Sequence, residues 1–141
     1  TLIVGLIVIA VVAGIGEELI FRGLIQRKFY KGLNNPHLAI WGAAIIFSAI
    51  HMQFYGFLPR MMLGALFGYL YLWTGNLWVP IAAHIFNNGF AVVMFYLSHI
   101  GVIGVDIEEL ETFPIPAVIA SLFLSAALLW YFRKEQGTEI S

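Results

Sequence analysis

Long apolar runs dominate the chain, and its few polar positions fall between those runs or one helical turn apart inside them. The chain opens with TLIVGLIVIAVVAGIG, a run without charge, and continues through EELIFRGLI to a basic cluster at Arg27, Lys28 and Lys31. This pattern predicts a first helix over about 2–31, long enough to cross a bilayer with tilt at roughly 1.5 Å per residue. Asn34-Asn35-Pro36 combines a turn signal with a helix cap, so a second helix is expected from His37 to about residue 55. A third covers about 58–74, with Pro59 tolerated in its first turn. Thr74-Gly75-Asn76 breaks it, a fourth runs over about 77–99, and a fifth over about 114–132.

Composition turns these helices into membrane helices. The chain is 61% hydrophobic and 11% charged, where a soluble domain carries about 25% charged residues. Mean hydropathy is +0.90. Between Lys31 and Asp106 the only Lys, Arg, Asp or Glu is Arg60, which leaves nothing to build a solvated surface. The expected fold is all-α, a polytopic transmembrane helical bundle with about five membrane helices, forming one domain over residues 1–141. The chain does not start with Met, and its first run lacks the basic flank and cleavage site of a signal peptide. A fragment with further helices upstream is therefore expected. Sequence repeats and low-complexity tracts are absent.

Charge placement orients the bundle. Arg27, Lys28 and Lys31 follow the first helix, and Arg133 and Lys134 follow the fifth. Alternating spans put both clusters on one side, expected to be the cytoplasmic side of a cytoplasmic membrane. The acidic loop holding Asp106, Glu108, Glu109 and Glu111 falls on the other, and Arg60 is the single exception. The bilayer is thus one partner. A net charge of −1 without a basic patch argues against nucleic acid. With no cysteine, disulfides, thiolate metal ligands and a Cys nucleophile are excluded.

Against this background Glu17 and Glu18 stand out. Carboxylates at membrane depth are expensive and usually mark function. Glu18 and Arg22 are four apart with the acid first, the favourable order for a helical ion pair. Glu17 then points about 100° away without a charged partner on its own helix. An unpaired carboxylate held out of water is a better base than one in water. The structural alternative is that both glutamates share Arg22 as a clamp, although one guanidinium cannot neutralise two carboxylates in lipid. His51 lies four residues after Phe47, and His84 lies four before Asn88, with Asn87 on the adjacent face. Either histidine alone would suit a satisfied interhelical hydrogen bond. Together with Asn88 and the acidic pair they offer water activation and oxyanion donors. His37 and His99 fall at helix ends and read as structural, while Trp73, Trp78 and Trp130 suit an aromatic belt. Gly64-Ala65-Leu66-Phe67-Gly68 permits close helix packing. Neither a phosphate-binding glycine loop nor a GxSxG nucleophile elbow is present.

Taken in order, Glu17-Glu18-Leu-Ile-Phe-Arg22, Phe47-Ser-Ala-Ile-His51 and His84-Ile-Phe-Asn-Asn88 match EExxxR, FxxxH and HxxxN. On successive membrane helices this resembles the CPBP (Abi) family, which includes the type II CAAX prenyl proteases and bacteriocin-processing or immunity proteins. The likeness covers about residues 14–96. It implies an intramembrane endopeptidase acting on a peptide or membrane-protein substrate. By analogy Glu17 would activate water, His51 would position it, His84 and Asn88 would stabilise the oxyanion, and Glu18 and Arg22 would hold the site. The family has been viewed as metal-dependent and as a set of metal-free glutamate proteases. Without an HExxH pair a metal-free site is expected here, the alternative being zinc on Glu17, His51 and His84 with a fourth position open. Two readings compete with proteolysis, a proton-coupled transporter and a non-catalytic immunity or scaffold protein. In straight spans His51 and His84 would also differ in depth by roughly 10 Å.

Overall fold

The structure is a computed structural model that describes residues 1–104 together with 130, 131 and 134. It is helical, with no strand among the described residues. Four helices follow one another: α1 is Leu2–Leu33, α2 is Pro36–Ala49, α3 is Phe57–Thr74 and α4 is Trp78–His99. The acidic loop and the expected fifth helix, apart from Trp130 and Tyr131, lie outside the described residues, as does Arg133. The chain divides into two compact units, residues 1–92 and 93–141, and the architecture below is that of the first. In the second, α4 closes on a turn with Gly101 at φ 74°, and the Lys134 ammonium lies 5.5 Å from the Trp130 ring.

Local chemistry sets the helix boundaries. Asn34 adopts the left-handed conformation at φ 50° and ends α1, donating its N–H to the Tyr30 carbonyl at 2.8 Å. The side chain of Asn35 accepts from the N–H groups of His37 and Leu38, with Pro36 in the first helical position, so this triplet stops one helix and starts the next. Gly75, at φ 62°, ends α3, and the Asn76 side chain accepts from the Trp78 N–H at 2.9 Å.

The second helix is shorter than the sequence suggests. It ends at Ala49 rather than near residue 55, and His51 falls in the turn just beyond it. The Ser48 hydroxyl donates to the Phe57 carbonyl at 2.5 Å, and Met52 turns left-handed at φ 52°. That long-range bond closes the loop before α3, and no Gly or Pro near residue 50 announces it.

Small residues draw the helices together. Ile40, Ala44 and Ala65 form a core between α2 and α3. A Cβ on Gly64 would stand 3.3 Å from the Ala44 Cα, so these backbones nearly touch. Gly14 does the same for α1 and α4, where a Cβ would meet Ile85 Cγ1 at 2.8 Å and its backbone nitrogen at 3.3 Å.

Two helices, α1 and α4, are long and apolar enough to cross a membrane, and only 17% of the most apolar window of each is buried. Ile3, Val4, Ile7, Val8 and Val12 are all more than half exposed along α1, an outward face suited to lipid. The helices α2 and α3 have 14 and 18 residues. Replacing Gly14 with Val should lower stability in detergent by about 1–3 kcal/mol through overpacking. The Gly16→Val variant, where a Cβ meets nothing within 4 Å, should cost much less when both are followed by thermal unfolding.

Candidate active site

The acidic pair and Arg22 sit where α1 departs from regular geometry. Two π-helical stretches, Leu6–Val12 and Phe21–Gln26, flank the turn that carries Glu17 and Glu18. Such widened turns often accompany functional sites because they re-aim side chains. The Arg22 guanidinium donates to Glu18 Oε1 at 2.9 Å through Nη1 and to the Gly64 carbonyl through Nη2. Its centre lies 5.4 Å from the Phe47 ring and 5.6 Å from the Phe67 ring. Arg22 and Glu18 are 1% and 0% exposed. One turn further, Gln26 Nε2 donates to the Gly68 carbonyl at 3.1 Å. Donors four apart on α1 therefore meet carbonyls four apart on α3, a match of two helical repeats.

His84 brings α4 to this pair. It is 3% exposed, stacks on Phe67 at 4.9 Å and presents an edge contact to Phe47 at 5.9 Å. Its Nδ1 lies 2.7 Å from Glu18 Oε1 and its Nε2 3.6 Å from Glu17 Oε2. A Glu18 carboxylate already neutralised by Arg22 only accepts, which puts a proton on Nδ1 and leaves Nε2 as the atom facing Glu17. Glu17 differs from its neighbour in exposure, its side chain being 28% open.

Phe47 closes the expected gap between the histidines. Its ring touches His84 and also His51, at 5.1 Å, so one side chain spans the depth offset. His51 Nδ1 lies 2.8 Å from the Phe47 carbonyl. Since a carbonyl cannot donate, Nδ1 carries the proton and Nε2 the lone pair.

Asn88 is placed differently from the expectation. Its amide donates to the Ile9 carbonyl at 3.0 Å, inside the first π-helical stretch, and its Oδ1 is 3.4 Å from the amide of Asn87. Among the described residues, no group of three or more His, Asp or Glu side chains is arranged to hold a metal ion. Sequence reasoning missed Gln26 and Phe67, and gave Gly64 and Gly68 only a packing role. The recoverable signal was Gln26 itself, one turn after Arg22 on the same face.

The sequence model described as "Type II CAAX prenyl endopeptidase Rce1-like" matches residues 1–90, which hold the site. The chain belongs to the Rce1-like family. Among curated proteins, the Rce1-like chain is 28% identical to the uncharacterized protein YpbD of Bacillus subtilis over 67% of its length and 48% of YpbD. It is 35% identical to YdiL, a proposed membrane peptidase of the same organism, over 63% of its length and 36% of YdiL. Identity to the membrane-embedded CAAX protease MroQ of Staphylococcus aureus is 28%, over 64% of the chain and 38% of MroQ. The matched region thus spans less than half the length of each of these relatives. No solved structure matches the Rce1-like chain significantly.

Removing one half of a buried ion pair leaves the other uncompensated. Arg22→Met should therefore cost about 3–5 kcal/mol of stability. The double variant Glu18→Gln, Arg22→Met should cost less than the sum of the single changes, a coupling that thermal unfolding of the four proteins in one detergent measures.

Proposed function

We propose that this protein is an intramembrane endopeptidase that cleaves a peptide or membrane-protein substrate, with Glu17 as the general base. The observation that carries this reading is the contrast between two adjacent carboxylates. Glu18 is sealed into contacts with Arg22 and His84, while Glu17 is open and 3.6 Å from His84 Nε2. A sealed carboxylate organises and an open one can take a proton. Membership of the Rce1-like family and likeness to a named membrane-embedded CAAX protease support the same reaction class.

In the proposed reaction Glu17 takes a proton from water as the water oxygen attacks the scissile carbonyl carbon. The lone pair on His51 Nε2 accepts the water's other hydrogen and positions it. His84 keeps its Nδ1–H on Glu18 and turns its Nε2 edge toward the oxyanion. Asn88 supplies a second donor on releasing the Ile9 carbonyl. As the C–N bond breaks, Glu17 returns its proton to the leaving amine. Glu18 and Arg22 hold the imidazole throughout. We favour a metal-free reaction, with zinc on Glu17, His51 and His84 as the alternative that a chelator tests.

The same reading places α1 to α4 and the expected fifth helix in the bilayer, about five membrane helices in all. Arg27, Lys28 and Lys31 are then cytoplasmic, with Arg133 and Lys134 on that side as well. A cysteine at Lys28 should be labelled by an impermeant maleimide only from the cytoplasmic face of right-side-out and inverted vesicles.

The direct test compares peptide termini by mass spectrometry in matched membranes carrying the intact protein or its Glu17→Gln variant. Termini specific to the unaltered protein should fall at least about 100-fold in the variant, the usual scale of general-base loss, and should persist in a zinc chelator. Equal termini from two folded proteins would overturn Glu17 as the base, and ion or proton flux in vesicles would instead favour a transporter.

A further inference from the structure

The turn between α2 and α3, residues 50–56, lies at the end of the first unit opposite Arg27, Lys28 and Lys31. It reverses the usual order of a surface loop, with apolar side chains outward and polar ones tied back. Met52, Phe54 and Tyr55 are 90%, 89% and 93% exposed, the three most exposed large apolar side chains among the described residues. Ile50 before them and Leu58 after them also stand outward. The polar side chains bond within the turn or to the helices beside it. Ser48 donates to the Phe57 carbonyl, His51 Nδ1 donates to the Phe47 carbonyl, and Gln53 Oε1 accepts from Arg60 Nη2 at 2.6 Å. An apolar patch of this kind marks a surface that meets something other than water.

Helix length identifies the partner. At 18 residues, α3 extends roughly 27 Å, close to the ~30 Å hydrocarbon core of a bilayer. Its far end lies at the basic cluster, where Gly75 and Tyr71 line one cleft with Arg27 and Tyr30. Its first turn therefore reaches the opposite edge of that core, and the turn before it sits where acyl chains meet headgroups. Irregular backbone finds hydrogen-bond partners at that level and not deeper. A ring with a polar tip such as Tyr55 is at home there, and a long side chain such as Arg60 can extend from it to phosphate. We propose that this turn is a membrane anchor, with Met52, Phe54 and Tyr55 inserted into the acyl-chain edge of the leaflet opposite the basic cluster. The anchor rests on the membrane placement of the four helices and is independent of proteolysis.

The chain has no cysteine, so spin labels on single introduced cysteines test this. The full-length protein, with any cysteine outside these residues replaced, is reconstituted alone into vesicles of phosphatidylcholine and phosphatidylglycerol. Collisions with dissolved oxygen report lipid, and collisions with a water-soluble nickel chelate report water. At Phe54→Cys and Tyr55→Cys oxygen should dominate and nickel collisions should be lost, as at Ile45→Cys on the exposed face of α2. Gly32→Cys, at an exposed position with open space around it, should give the reverse. Nickel collisions at Phe54→Cys and Tyr55→Cys equal to those at Gly32→Cys would put the turn in water and overturn the proposal. Few collisions with either reagent would mean that a second copy of the chain covers the turn, and would overturn it too. Nickel collisions at Ile45→Cys as well would remove the membrane placement itself, and the anchor with it.

Discussion

A guanidinium in an apolar interior needs partners, and that demand at Arg22, met at both terminal nitrogens though not at Nε, organises the bundle. Its contacts draw in three helices. Glu18 answers from its own helix, the Gly64 carbonyl and the Phe67 ring from α3, and the Phe47 ring from α2. Through Glu18 the cluster reaches His84 on α4. Buried ion pairs add little net stability, since desolvation offsets most of the attraction. What they impose is register, because a helix displaced by one turn would strand a charge in lipid or protein. The Gln26–Gly68 bond repeats the contact one turn away and makes a slip costlier still.

The same constraint separates two chemically identical side chains. Adjacent residues on a helix point about 100° apart, so only one of the two glutamates can meet Arg22. Glu18 is consumed by that contact and by His84, while Glu17 keeps an open edge. One imidazole joins them, with its Nδ1 on the closed carboxylate and its Nε2 toward the open one. An open and a closed carboxylate thus arise from a single dipeptide, and their difference comes entirely from environment.

What was legible in the sequence was local. The Glu18–Arg22 pair follows from spacing, and Asn34-Asn35-Pro36 and Thr74-Gly75-Asn76 follow from capping chemistry that acts over three or four residues. The motifs also carried the family. Contacts between helices were another matter. Nothing near residue 50 reveals that Ser48 will bond the Phe57 carbonyl and end α2 early. Asn88 finds the Ile9 carbonyl inside a π-helical stretch of α1, and no residue type marks such a stretch. Gly64 and Gly68 were visible as small residues, but carbonyls that accept from Arg22 and Gln26 belong to the backbone and leave no trace in composition.

The short second helix bears on how water could reach Glu17. At 14 residues, α2 extends roughly 21 Å, less than the ~30 Å hydrocarbon core. It starts near the basic end, where Arg27 lies about 15 Å along α1 from Glu17 by the same rise. In the proposed orientation, with that end at the interface, Glu17 and the turn carrying His51 would both fall well inside the membrane. Irregular backbone is tolerated at such depth only where it is covered by protein or lines a wet recess. His51 is only half-buried, and the side chain of Asn87 is exposed. Arg22 and Gln26, by contrast, seal the basic side. The Ser48–Phe57 bond that ends α2 early thus leaves His51, Asn87 and the Glu17 edge on the less sealed side of the cluster.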